Sequence, residues 1–209
     1  MRLLKSAFRT WSILVLFVIL VSLGVPIHGM AQSAEKFPNM DFALLAIRQS
    51  FNVSTGLELA VGDMDKTPIA LGLTGKSVTR VFDALVRQRP NYVWSLKDGF
   101  YDVYPKTKAR SFSQVNVADY VVRDATLKEA VDAIEKLPEI EWWLANNHKR
   151  RQNLINVSRT GPPPPPERRS LTLQNVTVRT ILNLIYGSFG ETQWTIWNQG
   201  QDIGMSFSF

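Results

Sequence analysis

Alternating apolar and polar residues, followed by apolar residues spaced by three and four, occur twice along this chain at an offset of one hundred. IALGL from Ile69 and SLTLQ from Ser170 have the period of a strand, whereas KSVTRVFDALV from Lys76 and VTVRTILNLIY from Val176 have the period of a helix. At this offset Leu71 meets Leu171, Leu73 meets Leu173, Val78 meets Val178, Val81 meets Ile181, Phe82 meets Leu182 and Leu85 meets Ile185. Asn175 stands where the first copy has Gly75, so backbone geometry at a tight turn accounts for it. Each unit then runs into an aromatic alternating stretch, NYVWSL or TQWTIW, a turn with glycine, and a second short strand, FYDVY or QDIGMSF. A duplicated unit of strand, turn, helix and hairpin is expected.

The residues upstream extend each unit. NVADYVV from Asn116 alternates as a strand, and Thr126 followed by Glu129 makes a capping box for a helix whose stripe is Leu127, Ala130, Val131, Ile134 and Leu137. Pro138 is expected to end that helix, and EIEWWL from Glu139 to form a strand. In the first copy a looser helix carries Phe42, Leu44, Leu45, Ile47 and Phe51, with a turn at Ser54-Thr55-Gly56 and a strand LELAV from Leu57. The fold class is therefore α+β: two small tandem modules over residues 37–108 and 115–209, each with two helices and four to five short strands. Leu127, Val131, Ile134, Leu173, Leu182 and Ile185 are expected to form the second module's core.

NVADYVVRDATLKEAVDAIEKLPEIEWWL, together with RRSLTLQNVTVRTILNLIYGSFGETQWTIWNQGQDIGMSF, resembles the secretin and TonB short N-terminal domain. The resemblance covers residues 116–209 without the intervening segment, and the first half is similar mainly from Pro68 onward. It implies a non-enzymatic envelope module that docks other envelope proteins or signalling regulators. No secretin pore region or β-barrel follows the second unit in this sequence, so action through a separate partner is expected.

Composition changes this picture in three places. Arg2, Lys5 and Arg9, the apolar run from Trp11 to Val25, and the small-x-small end at Gly29-Met30-Ala31 read as a signal peptide over residues 1–31. An exported protein follows from that reading, and the resemblance implies a periplasmic place with outer-membrane association; an uncleaved, membrane-anchored structural protein is the alternative. Cysteine is absent, which excludes disulfides, thiol nucleophiles and thiolate metal sites. Without the three leader bases the net charge of +6 falls to +3, too small for a general nucleic-acid binder.

That excess is concentrated in residues 145–169, a basic, proline-rich insertion with Lys149, Arg150, Arg151, Arg159, Arg168 and Arg169 around the run Pro162 to Pro166. The proline run should form a stiff polyproline rod. The segment from Asn146 to Glu167 is expected to be dispensable for folding and needed for association. Trp142, Trp143, Lys149, Arg150, Arg151, Arg168 and Arg169 are the candidate partner-binding residues, with an envelope protein or an anionic envelope surface as the partner. Strand alternation would expose one of Trp142 and Trp143.

Catalytic chemistry is sparse. His28 lies in the leader and His148 in a charged run without a neighbouring acid, while Asp63 and Asp65 lack the further oxygen ligands of a calcium loop. No cofactor or metal is expected. The competing class is a small periplasmic hydrolase of an envelope polymer, using the glutamates near Glu139 as acid and base.

Overall fold

The computed structural model describes residues 34–60, 67–107, 111–152 and 167–207. The first half runs β1 (Glu35–Phe37), α1 (Met40–Phe51), β2 (Ser54–Glu58), β3 (Ile69–Leu71), α2 (Val78–Gln88), β4 (Tyr92–Lys97) and β5 (Phe100–Pro105). A single 3-10 turn, Phe112–Gln114, leads to β6 (Asn116–Ala125), α3 (Leu127–Glu135), α4 (Pro138–Asn146) and β7 (Arg150–Arg151). The second half then closes with β8 (Arg169–Thr177), α5 (Val178–Ser188), β9 (Gln193–Gln199) and β10 (Asp202–Phe207). These five helices and ten strands among the described residues make an α+β fold.

Both halves use one pairing scheme. β1 pairs antiparallel with β3, as β6 does with β8. β5 lies between antiparallel β4 and parallel β2, as β10 lies between antiparallel β9 and parallel β7. The offset of one hundred holds for β3 and β8 and for the helices after them, α2 and α5 starting at Val78 and Val178; the strands that pair with β3 and β8 follow other offsets. Before each helix the chain passes through the left-handed region, at Gly75 (φ 70°) and at Asn175 (φ 52°). Glycine enters that region without a Cβ clash, and asparagine is among the side chains that tolerate it.

The halves are joined through one sheet of order β4-β5-β2-β9-β10-β7, and the described residues form one compact unit. At the seam β2 and β9 run parallel, Gly56 opposite Trp194 and Leu57 opposite Thr195. Gly56 also lies opposite Asp102 on β5. Paired residues share a face, so the outer face of the first half continues as the inner face of the second. The helices accordingly cover opposite faces. Leu57 packs with α1 and α2 in a core containing Leu44, Ile47, Val81, Phe82 and Leu85. Trp194 packs with α3, α4 and α5 in the other, with Val131, Ile134, Ile140, Leu182 and Ile185. Of the six residues expected in that second core, Val131, Ile134, Leu182 and Ile185 are buried, and Leu127 and Leu173 pack against them half-buried.

Five expectations need correction. EIEWWL is helical, lying within α4, because Pro138 occupies the first turn and Ile140, Trp143 and Leu144 fall on one buried stripe. Six residues satisfy both periods, and proline at a helix start needs no amide partner. Ser54, Thr55 and Gly56 are strand rather than turn, and Phe42 points outward, 53% exposed, leaving Met40, Ala43, Leu44 and Ile47 to the core. A further strand, β1, precedes α1. Finally, the stretch from Asn146 to Glu167 is not all loop: it contains β7, whose Arg150 and Gln152 amides bracket the strand by donating to Gln201 and Ile203 carbonyls at 2.7 and 2.9 Å. The leader over residues 1–31 with His28, the Asp63 and Asp65 loop, Arg159 and the proline run lie outside the described residues.

Candidate interaction site

Helix α4 has no counterpart in the first half, and it builds the groove that holds the exposed indole. The Glu139 carboxylate accepts the Ala118 amide at 2.9 Å, fixing the first turn of α4 to β6. Trp143 is 6% exposed and meets Phe112 edge-on at 5.2 Å. Trp142, one helical step away, is 68% exposed. The expectation that one of the pair faces solvent holds for a helical reason, the step of about 100° between neighbours. Val115, Asn116, Pro138 and Glu139 line an open groove beside the two indoles, about 650 Å³ in volume.

The candidate bases divide between two places and engage the chain's own groups. Lys149 Nζ donates to the Gly200 carbonyl at 2.5 Å, Arg150 to Gln201 Oε1 at 2.7 Å, and Arg151 lies 3.5 Å from Glu141. Arg168 grips the capping box of α3, bonding Asp124 Oδ2 and Glu129 Oε2 at 3.1 Å each, and Arg169 pairs with Glu167. The box itself is closed as the Thr126 and Glu129 spacing predicted. These exposed pairs contribute little stability individually. Arg151, Arg168 and Arg169 face acids of the chain itself, whereas Lys149 and Arg150 bond neutral oxygens and keep their charge.

A buried polar cluster at the seam was not expected from the sequence. Asp102 on β5 is fully buried; its Oδ2 accepts from Asn183 Nδ2 at 2.9 Å and lies 3.6 Å from Arg179 Nε. Asn183 Oδ1 accepts from Trp194 Nε1 at 2.7 Å, and Arg179 reaches Ser95 while its guanidinium lies 4.3 Å from the Tyr104 ring centre. Asp102 Oδ1 faces Gly56 and accepts no hydrogen bond among the described residues. Burial pushes the Asp102 carboxyl up to about 7, opposed by the Asn183 bond and the Arg179 charge. Nearby, the buried Glu58 on β2 accepts from Ser111 Oγ and the Phe112 amide at 2.6 Å each, holding the linking turn. Burial raises its pKa and those bonds oppose the rise. The only hint of the cluster was one acid in the aromatic strand FYDVY.

Chemically, the site displays an indole on a fixed helix beside apolar and amide groups. Three clefts among the described residues each hold one carboxylate, from Glu135, Glu58 or Glu139. Glu139 and Glu141, the hydrolase candidates, are separately engaged by Ala118 and Arg151. His148 is exposed with φ of 50° after α4. Among the described residues no cluster of three or more His, Asp or Glu could hold a metal, and no helix is long and apolar enough to cross a membrane. No family model, no curated protein and no solved structure matches this chain.

Proposed function

We propose that this chain is an exported, non-enzymatic interaction protein of the cell envelope, built from two units akin to the secretin and TonB short N-terminal domain. The observation that carries the reading is Trp142, an indole left in solvent on a helix that is otherwise bonded and buried on its inner side. An exposed aromatic anchor with a fixed backbone loses little entropy on binding. The order strand, helix, strand, strand, helix, hairpin in the first half, and the same order with α4 added in the second, supports the kinship, since it is the order the resemblance implies. An adaptor of this kind would present the α4 groove to an envelope protein of the secretin, TonB-system or regulator type.

The test combines fractionation with co-purification. The tagged chain should fractionate with periplasm or outer membrane, and a secretin or TonB-system protein should co-purify with it but not with Trp142→Ala. Recovery from the cytoplasm, or a partner indifferent to Trp142→Ala, would remove the reading.

A further inference from the structure

The seam joins the β2 edge of the first half to the β9 edge of the second, and leaves their counterparts, β7 and β4, at the two ends of the sheet. The correspondence is fixed by pairing: Ser54 faces Phe100 as Arg150 faces Asp202, and Lys97 faces Phe100 as Gln199 faces Asp202. Thr55 therefore corresponds to Arg151, and Gln193 to Asn91. On β4 the Lys106 amide donates to the Asn91 carbonyl, so Trp94 and Leu96 direct their backbone groups away from β5. On β7 the Arg150 and Gln152 amides serve β10, so Arg151 directs its own outward, as Thr55 does when it bonds the Thr192 carbonyl at 2.8 Å in the seam.

The seam also defines an operator. β5 and β2 run parallel to β9, whereas β10 and β7 run opposite to it, and the helices change faces. Half a turn about an axis crossing the strands, with a step of three strands, converts one half into the other. Repeating that operation restores the orientation but not the position, so it never closes on itself. We propose that a second copy of this chain docks by the same operation, its β7 edge against β4 of the first, and that copies add head to tail.

One facing pair is complementary in charge. Gly187 on α5 lies against Phe100 at the seam; the corresponding residues at the open ends are Arg87, exposed on α2, and Asp202 on β10. A base thus meets an acid where the seam has apolar contact. Arg179, Thr180 and Asn183 are buried at the seam, while their counterparts Thr79, Arg80 and Asp83 are exposed. The outer contact is polar where the inner one is dry, which makes the assembly reversible and salt-sensitive.

The chain has no cysteine, so a disulfide can report the contact. Asn91→Cys and Arg151→Cys place thiols at the positions that Gln193 and Thr55 occupy, paired, in the seam. A mixture of the two single variants should give a linked dimer under mild oxidation, the double variant a ladder of higher species, and each single variant alone a monomer. Arg87→Glu should reduce the ladder several-fold, and Asp202→Arg added to it should restore the ladder. A mixture that stays monomeric, or Asn91→Cys linking to itself, overturns the proposal. Sedimentation of the unaltered chain gives an independent reading: a single monomer across rising concentration at low salt would also overturn it.

Discussion

Asn183 donates its side-chain amide to Asp102 across the seam at 2.9 Å, one residue on α5 of the second half and the other on β5 of the first. The same side chain accepts the Trp194 indole N–H and donates to the Lys97 carbonyl, so one amide satisfies groups from three strands. Asn183→Ala leaves a buried carboxylate and a buried indole donor without their partner. A loss of about 2 kcal/mol or more is expected in urea denaturation. An unchanged midpoint would show that the cluster contributes nothing to the seam.

The Asp102 carboxyl is held at about 7, against an ordinary 3.8, because burial disfavours its charge. The folded chain then binds this proton more tightly than the unfolded chain does. Its contribution to stability is complete below pH 3.8 and is lost as pH rises through about 7. Measured against Asp102→Asn, the neutral isostere, wild-type stability should fall as pH rises from 3.8 to about 7 and then level. Parallel curves would mean that Asp102 does not titrate in the window.

Gly56 sits beneath the Trp194 ring and against Asp102 Oδ1, with no room for a Cβ. Gly56→Ala forces strand, indole or carboxylate to move, and should cost on the order of 3 kcal/mol or prevent folding. Intrinsic tryptophan fluorescence and thermal unfolding would report it. By contrast, Gly99→Ala meets no neighbouring atom, and its cost should come only from its positive φ.

Leu182→Ala should cost about 2 to 5 kcal/mol, since Leu182 lies in the packed second core. Trp142→Ala should change stability by less than about 0.5 kcal/mol, because its ring is mostly in water. The pair separates a folding residue from a proposed binding residue.

A chain lacking residues 146–167 should melt below the wild type. It loses β7 and the two backbone bonds that hold that strand to β10. Calorimetry of the deletion variant checks this. A melting temperature equal to the wild type would restore the view that the whole stretch is dispensable.

What could be read in the sequence was what local chemistry decides. Thr126 and Glu129 declared a capped helix, Val78 and Val178 a repeated helix start, and Gly75 and Asn175 a repeated turn, because each depends on residues a few positions apart. α4 was misread because six residues fit two periods and only the burial of Ile140, Trp143 and Leu144 decides between them. The seam was not legible at all. Asp102, Asn183 and Trp194 meet only after the sheet has formed, and nothing in FYDVY tells a solvated acid from one closed under a second half.

The exchange of faces at the seam has a consequence for how the protein is made. Arg48 on α1 finds Thr192 only after 144 further residues, and Asp41 finds Thr195 after 154. Until then the newly synthesised first half exposes the β2 edge and the Asp102 face to whatever else is present. Such long-range closure is slow, and an open strand edge invites the wrong neighbour meanwhile. The first half therefore keeps an uncovered sheet edge and an uncovered acid until the last strands of the second are made.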